Sequence, residues 1–273
     1  MHVKAYVLAA DPTWVERSIS AYYDHVAEIV VSFDRDNRGW TGRPIAASAV
    51  VRTIRAMDRD HKCRFVAGSF RGSPPIVGDT RQRQAALDAV GECDWVLQID
   101  TDEVLPVPEQ LTSMLATLPS HLDGVEWPMR VLFRRLGRDR YAEVSEEDGG
   151  MHVEYPGCIA VRPGVELVDA RRVSGCYARV VTPDADSLQL RRPPGPVEYR
   201  IDLPAAPIVH NSWARSPRVV AAKVRSWGHN EGLDSLVYYC ATWFPARWRW
   251  GTLTDFHPFA RGLWPRLREV TLG

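Results

Sequence analysis

The sequence is poor in lysine: Lys4, Lys62 and Lys223 are the only three, and arginine supplies the rest of the 34 basic side chains. Those are matched by 34 acidic ones, which leaves a formal net charge of zero. A chain with no basic excess is not expected to bind nucleic acid. No stretch approaches the ~20 apolar residues that a membrane span needs. The apolar run in MHVKAYVLAADPTW is too short for the core of a secretion signal. Cys63, Cys93, Cys158, Cys176 and Cys240 are scattered, odd in number and without a C-x-x-C pair. That usage excludes a disulfide scaffold and points to a reduced, cytoplasmic setting. Internal repeats, low-complexity tracts and long charge runs are also lacking.

What remains is ordinary globular composition, with 273 residues, 45% hydrophobic and 25% charged side chains, and a mean hydropathy of −0.25. A chain of this length buries roughly 75% of the surface its unfolded form exposes, so no metal or disulfide staple is needed for a core. The first hundred residues alternate strand and helix. Val3–Ala9, Ile29–Phe33, Phe65–Ala67 and Trp95–Ile99 read as short buried strands. Helical spacing is predicted from Asp11 or Pro12 onward, with Trp14, Val15, Ile19 and Tyr22 in phase, and again over Ala46–Met57. Asp79 followed by Gln82 has the pattern of a capping box, predicting a helix from Asp79 to Val90. Strands separated by helices imply βαβ units and a mainly parallel sheet. Beyond Pro106 come a helix at Glu109–Leu118 and a strand-like, turn-rich stretch from Val125 to Pro207, with breaks at Gly149-Gly150, Pro156-Gly157, Pro163-Gly164 and Pro193-Pro194-Gly195. Ser216-Pro217 starts a further helix to about Trp227, with Pro217 in its first turn.

Ligands of an open parallel sheet bind outside the carboxyl ends of the strands. Three predicted strands end beside an aspartate there: Asp11, Asp34 and Asp100. Residues 95–106, WVLQIDTDEVLP, are the sharpest local signal, an apolar strand running into Asp100-Thr101-Asp102-Glu103. Such a density of carboxylates is unfavourable without a neutralising cation or donor-rich ligand. Hard oxygen donors in this number suit Mg²⁺ or Mn²⁺ carrying substrate phosphates.

With these motifs the sequence resembles the GT-A-fold, family-2-like glycosyltransferases. The likeness rests on VKAYVLAADPTWVERSI, on IVVSFD and on DTRQRQAALDAVGECDWVLQIDTDEVLP, and extends only loosely past Pro106. It implies an α/β fold of the GT-A kind, Rossmann-like with a mainly parallel sheet flanked by helices. Residues 1–106 would form its nucleotide-sugar-binding half, 107–215 a mixed, turn-rich acceptor half, and 216–273 a helical, tryptophan-rich C-terminal segment. The implied reaction moves a sugar from a nucleoside-diphosphate donor, UDP-sugars among them, to a hydroxyl of a small-molecule, glycan or natural-product acceptor, with inversion. Mn²⁺ or Mg²⁺ would be the cofactor. By the resemblance Asp102 touches the metal, and Asp100 holds the ribose or a metal-bound water. Asp34 contacts base or ribose, Ala9 and Asp11 line the nucleotide pocket with Thr101, and Arg83 lies near the diphosphate or donor sugar. A late histidine often completes the metal site of such enzymes, and His210 in APIVHNSWARSPRVVAAKVRSW has that place, with Ser212, Trp213 and Arg215 shaping the diphosphate pocket.

Inverting transfer needs a general base. The acidic loop EVSEEDGGMHVE offers Asp148 and Glu154, although the usual family motif is missing there. Trp213, Trp227, Trp243, Trp248, Trp250 and Trp264 cluster late, and are expected to serve packing, in the core or at a homodimer face, before sugar stacking. A sugar nucleotidyltransferase is disfavoured because AADPTW replaces the glycine- and arginine-rich loop such enzymes carry after the first strand. The lack of G-x-G-x-x-G disfavours a dinucleotide oxidoreductase. A catalytically silent nucleotide- or carbohydrate-binding protein of the same fold is the non-enzymatic alternative.

Overall fold

The computed structural model describes residues 1–72, 74–183, 198–226, 233–258 and 260–272. In the first part, β1 (Val3–Leu8), α1 (Val15–Tyr22), β2 (Ile29–Asp34), α2 (Ala47–Met57), β3 (Cys63–Gly68), α3 (Pro75–Val90) and β4 (Trp95–Gln98) follow in turn. Next come β5 (Glu103–Val104), α4 (Pro108–Leu115), β6 (Gly124–Glu126), β7 (Met129–Arg135), β8 (Arg140–Ser145), β9 (Ala160–Val161), β10 (Leu167–Val168), β11 (Arg172–Val173) and β12 (Tyr177–Val181). The chain closes with β13 (Glu198–Asp202), β14 (Ile208–His210), α5 (Pro217–Ser226), α6 (Leu233–Tyr238), short helical turns and β15 (Arg266–Thr271).

Among the described residues, eight strands form the main sheet in the order β13-β12-β6-β9-β4-β1-β2-β3. Only β9 runs against its neighbours, β4 and β6, so the sheet is mixed but mostly parallel. Its central strands are buried on both faces, hence their near-continuous apolar sequences. Alternate residues divide between two layers. Val3, Ala5 and Val7 face Val15 and Ile19 of α1, Val50 and Ile54 of α2 and Leu111 of α4, whereas Tyr6 and Leu8 face Ala86, Leu87 and Val90 of α3. This is the helix-flanked α/β sheet expected from the alternating elements.

A second sheet, β15-β8-β7-β14-β5, stands beside the first. Its Val131, Phe133 and Val144 pack against Val220 and Val224 of α5 and against Trp213, Trp243, Phe256 and Trp264. Those three tryptophans are therefore core residues, as expected, while Trp248 is 69% exposed. Trp227 and the Pro193-Pro194-Gly195 break lie outside the described residues.

Two local expectations are corrected. Asp79 does not cap α3: the helix starts a turn earlier at Pro75, and Asp79 lies inside it with an ion pair to Arg83 at 2.7 Å. Pro75, pre-set for a first helical turn, fixes the start, and Gln82 instead accepts a hydrogen bond from the Trp40 indole at 2.8 Å. The C-terminal segment is not helical throughout either, because Arg266–Thr271 pairs antiparallel with β8. No helix among the described residues is long and apolar enough to cross a membrane.

Candidate functional site

Because β4, β1 and β2 are parallel neighbours, their carboxyl ends present Asp100, Ala9, Asp11 and Asp34 along one rim. Ala9 is buried, its N–H bound to the Ser32 carbonyl at 2.9 Å. Asp34 is also buried: Oδ1 accepts the N–H groups of Asp36 and Arg38, both at 2.9 Å, and Oδ2 is buried with no hydrogen-bond partner. Oδ1 of Asp11 closes a turn by accepting the Thr13 N–H at 2.8 Å.

Past β4 the chain turns sharply through the buried Thr101. The Asp100 N–H donates to Oε2 of Glu103 at 3.0 Å, and the Glu103 N–H returns to the Asp100 carbonyl at 3.0 Å. The two-residue strand β5 that follows pairs antiparallel with β14, placing Glu103 opposite His210. Asn211 continues the contact, its N–H donating to the Asp102 carbonyl at 2.8 Å. Backbone pairing thus brings Nε2 of His210 to 3.4 Å from Oδ2 of Asp102. Of the residues singled out in the sequence, Asp11, Arg83, Asp100, Thr101, Asp102, His210 and Arg215 converge here.

The negative charge is met by the protein's own cations, where the sequence pointed to an external one. Arg83 makes a bidentate contact with Asp100, at 3.1 and 2.8 Å, while its Nε holds Asp79. Arg171, in the turn between β10 and β11, grips both oxygens of the fully buried Glu103. Arg215 bridges the neighbouring ends of β1 and β4, with one Nη on Asp11 and the other on Asp102. Lys223 stands behind it on α5, donating to the Ser212 carbonyl at 2.9 Å and hydroxyl at 3.0 Å.

Burial alone would raise both aspartates, but it is outweighed. Arg83 and Arg171 hold the Asp100 carboxyl below its usual range, and Arg215 with His210 holds Asp102 well below it. Burial pushes the Lys223 ammonium the other way, down to about 8, reinforced by Arg215 and partly offset by Asp102 and Asp11. Depressed carboxyl values mean that this stabilisation is complete above the ordinary value of 3.8 and is lost as pH falls through the lowered ones. Thermal unfolding followed from neutral pH downward is accordingly expected to show a steep loss only below about pH 4, blunted in Asp102→Asn.

Among the described residues no group of three His, Cys, Asp or Glu side chains is placed to hold a metal ion. Asp102 with His210 is the pair of suitable donors that remains. Mg²⁺ and Mn²⁺ bound through one or two protein groups take most other ligands from water and substrate phosphates. Oδ2 of Asp102, which faces His210, is also taken by Arg215, so the pair does not amount to a protein-only cage.

The two carboxylates considered as base are placed very differently. Asp148 is exposed in a turn, its Oδ1 accepting the Gly150 N–H at 2.8 Å. Glu154 pairs with Met129 through both backbone hydrogen bonds, at 2.8 and 3.0 Å. Met129 is in register with Ile208, and Val131 with His210. Directly paired and alternate residues share a face, so Glu154 and His210 emerge on the same side of the second sheet.

A surface cavity of about 500 Å³ lies elsewhere, lined by Cys93, Asp94, Asp123 and Arg162 near the start of β4. Volume alone does not favour it over the rim, where strand ends gather charge.

No family model matches the chain, and no curated protein matches it. Residues 1–349 of TarS from S. aureus are similar in structure at 13% identity and a TM-score of 0.34, over 60% of this chain and 47% of that one. Mannose-6-phosphate isomerase from Helicobacter pylori is similar at 12% identity and a TM-score of 0.32, over 60% of this chain and 61% of that one. The chain thus spans less than two thirds of either protein. Likenesses this distant carry no argument about activity.

The sequence reading missed Arg171 and Lys223. Lys223 had a signal, being one of three lysines in an arginine-dominated chain. Arg171 had none, since it follows an unmarked turn in which Asp169 and Ala170 adopt φ of 48° and 68°.

Proposed function

We propose that the protein is a glycosyltransferase that moves a sugar from a nucleoside-diphosphate donor, a UDP-sugar in the simplest case, to an acceptor hydroxyl. The observation that carries this reading is the meeting of Asp102, His210 and Arg215 at the carboxyl ends of parallel strands. A carboxylate, an imidazole and a guanidinium within reach of one another match the needs of a metal-associated diphosphate. The unpartnered Oδ2 of Asp34 suits a nucleoside donor group, with Ala9, Asp11 and Thr101 shaping the same pocket.

In this reading Arg83 keeps Asp100 ionised and fixed, and Asp100 orients the ribose or a water of the cation. Arg215 and Lys223 counter the charge that grows on the diphosphate as it leaves. Asp102 and His210 would hold Mn²⁺ or Mg²⁺, whose contribution is Lewis-acid stabilisation of the departing diphosphate. Glu154 takes the acceptor proton as the oxygen attacks the anomeric carbon, which gives inversion.

Calorimetric titration with UDP and other nucleoside diphosphates, with Mn²⁺ and with excess chelator, tests the reading. Binding that weakens at least about tenfold in chelator is expected, since a diphosphate next to Asp100 and Asp102 needs added positive charge. Equal affinity in both conditions would exclude the cation from the site. His210→Ala is expected to raise the Mn²⁺ concentration needed for activity, with partial recovery at high metal. If His210 only packs, the variant instead melts lower with an unaltered Mn²⁺ requirement.

A further inference from the structure

Behind Glu154 lies a second group of titratable side chains, separate from the carboxylate rim. His152 is buried, 1% exposed, between two carboxylates. Its Nδ1 is 2.8 Å from Oε1 of Glu146, and its Nε2 is 3.7 Å from Oε1 of Glu154. The Trp264 indole N–H donates to that same Glu154 oxygen. From the C-terminal segment His257 also faces the group, with its ring against Trp264 at 4.6 Å. Arg268 of β15 is engaged nearby by Glu143 and by the Gly149 carbonyl.

Neutral imidazole cannot serve this position well. With Nδ1–H donated to Glu146, a neutral ring would turn the Nε2 lone pair toward an ionised Glu154, two acceptors facing each other in a buried site. A doubly protonated ring places its charge between both carboxylates. Nδ1 is hydrogen-bonded to Glu146, while the buried Nε2, 3.7 Å from Glu154, makes no hydrogen bond among the described residues and holds that carboxylate as an ion pair. Among the described residues Oε2 of Glu154 accepts no hydrogen bond; the side chain is 16% exposed and belongs to the face of the sheet that also carries His210. One oxygen is anchored and the other is left without a hydrogen bond.

We propose that His152, held by Glu146, is a cationic positioning residue that fixes Glu154 as the general base of the transfer reaction, an inference that rests on the glycosyltransferase reading. The acceptor O–H bond breaks with its proton passing to Oε2 of Glu154. The oxygen lone pair forms the new bond to the anomeric carbon, and the electrons of the old bond leave with the nucleoside diphosphate. His152 keeps both protons throughout, so the base is aimed and ionised before the acceptor arrives.

The electrostatics agree. Burial would lower the His152 value, but Glu154 and Glu146 together raise it, while His152, Trp264 and His257 outweigh burial and lower Glu154. A raised histidine is charged at lower pH and loses its proton as pH rises through the folded value. The working window is therefore bounded on the acid side by Glu154 and on the alkaline side by His152.

Two measurements on the full chain decide the matter. Imidazole ¹⁵N spectra, assigned with His152→Gln, are expected to show both His152 nitrogens protonated at pH 7, with a midpoint above the ordinary ~6.5 that drops in Glu146→Gln and in Glu154→Gln. Turnover of a panel of UDP-, GDP- and TDP-sugars is then followed against pH. Glu154→Gln is expected to lose about a hundredfold or more in kcat, with donor KM unchanged. His152→Gln should lose about tenfold and its alkaline limb, and Glu146→Gln should move that limb to lower pH. A merely structural His152 would lower the melting temperature and leave the shape of the pH profile alone. A neutral His152 at pH 7, or an unmoved alkaline limb in both variants, overturns the inference while leaving transfer intact. Absence of turnover from every sugar nucleotide overturns the transfer reading, and the base role with it.

Discussion

Asp102→Asn is expected to abolish transfer, with turnover down by at least about a hundredfold, while the fold survives. The swap keeps volume and a hydrogen-bond acceptor but removes the charge facing Arg215 and His210. Losing one such group from a water-poor site costs on the order of 10²–10³ in rate. Arg215 keeps its contact with Asp11, so no guanidinium is orphaned. The stability loss should stay below the about 3–5 kcal/mol seen when a buried charge loses its only partner. Circular dichroism and turnover on one purified sample are the check. A folded variant retaining more than a tenth of parental activity removes Asp102 from the reaction.

Arg171→Met is expected to have the opposite profile, a large loss of stability. Glu103 is fully buried, and Arg171 covers both its oxygens at 4% exposure. Without the guanidinium, Glu103 keeps one backbone N–H, from Asp100. Removing one partner of such a pair costs about 3–5 kcal/mol, or a fall in Tm on the order of 10 °C for a chain of this size. Replacing both partners, as Arg171→Met with Glu103→Gln, should recover much of it, because no buried charge is then left alone. Urea unfolding of the two single variants and the double variant measures the coupling. A single Arg171→Met chain within about 1 kcal/mol of its parent would show that the pair is worth no more than an exposed one.

Much of the first sheet was legible because local chemistry and tertiary burial agree there. Ile29–Asp34 is apolar nearly throughout, as a strand covered on both faces must be, and Ala47–Met57 puts Val50, Val51 and Ile54 on one side of a helix. The rim of strand-end aspartates followed directly. Less was legible where structure depends on distant partners. A strand of two residues such as Glu103–Val104 has no periodicity to read, and it exists only because Ile208–His210 lies beside it. The sequence suggested that the acidic turn needed an external cation, yet Arg83, Arg171 and Arg215 reach it from three separate segments. With arginine spread along the whole chain, no local pattern distinguishes Arg171 from the exposed ones, and Arg83 and Arg215 were expected near the diphosphate, not paired with the carboxylates. Glu154 was visible only as one acid in an acidic loop, and its difference from Asp148 arises from its bridge to Met129.

The Arg215 bridge also bears on the order in which the chain can fold. Arg215 is separated in sequence by 204 residues from Asp11 and by 113 from Asp102. Contacts of such separation form late, since their loop-closure cost falls before any reward. During synthesis the amino-terminal strands and helices emerge first and can pair among themselves. Asp100 can then pair with Arg83 of the same half, but Asp11 and Asp102 lack their shared cation until the segment carrying His210 and Arg215 has been made and docks. The charge balance of the rim therefore depends on two long-range contacts, and Asp11 and Asp102 meet their guanidinium only once both halves of the sequence are present.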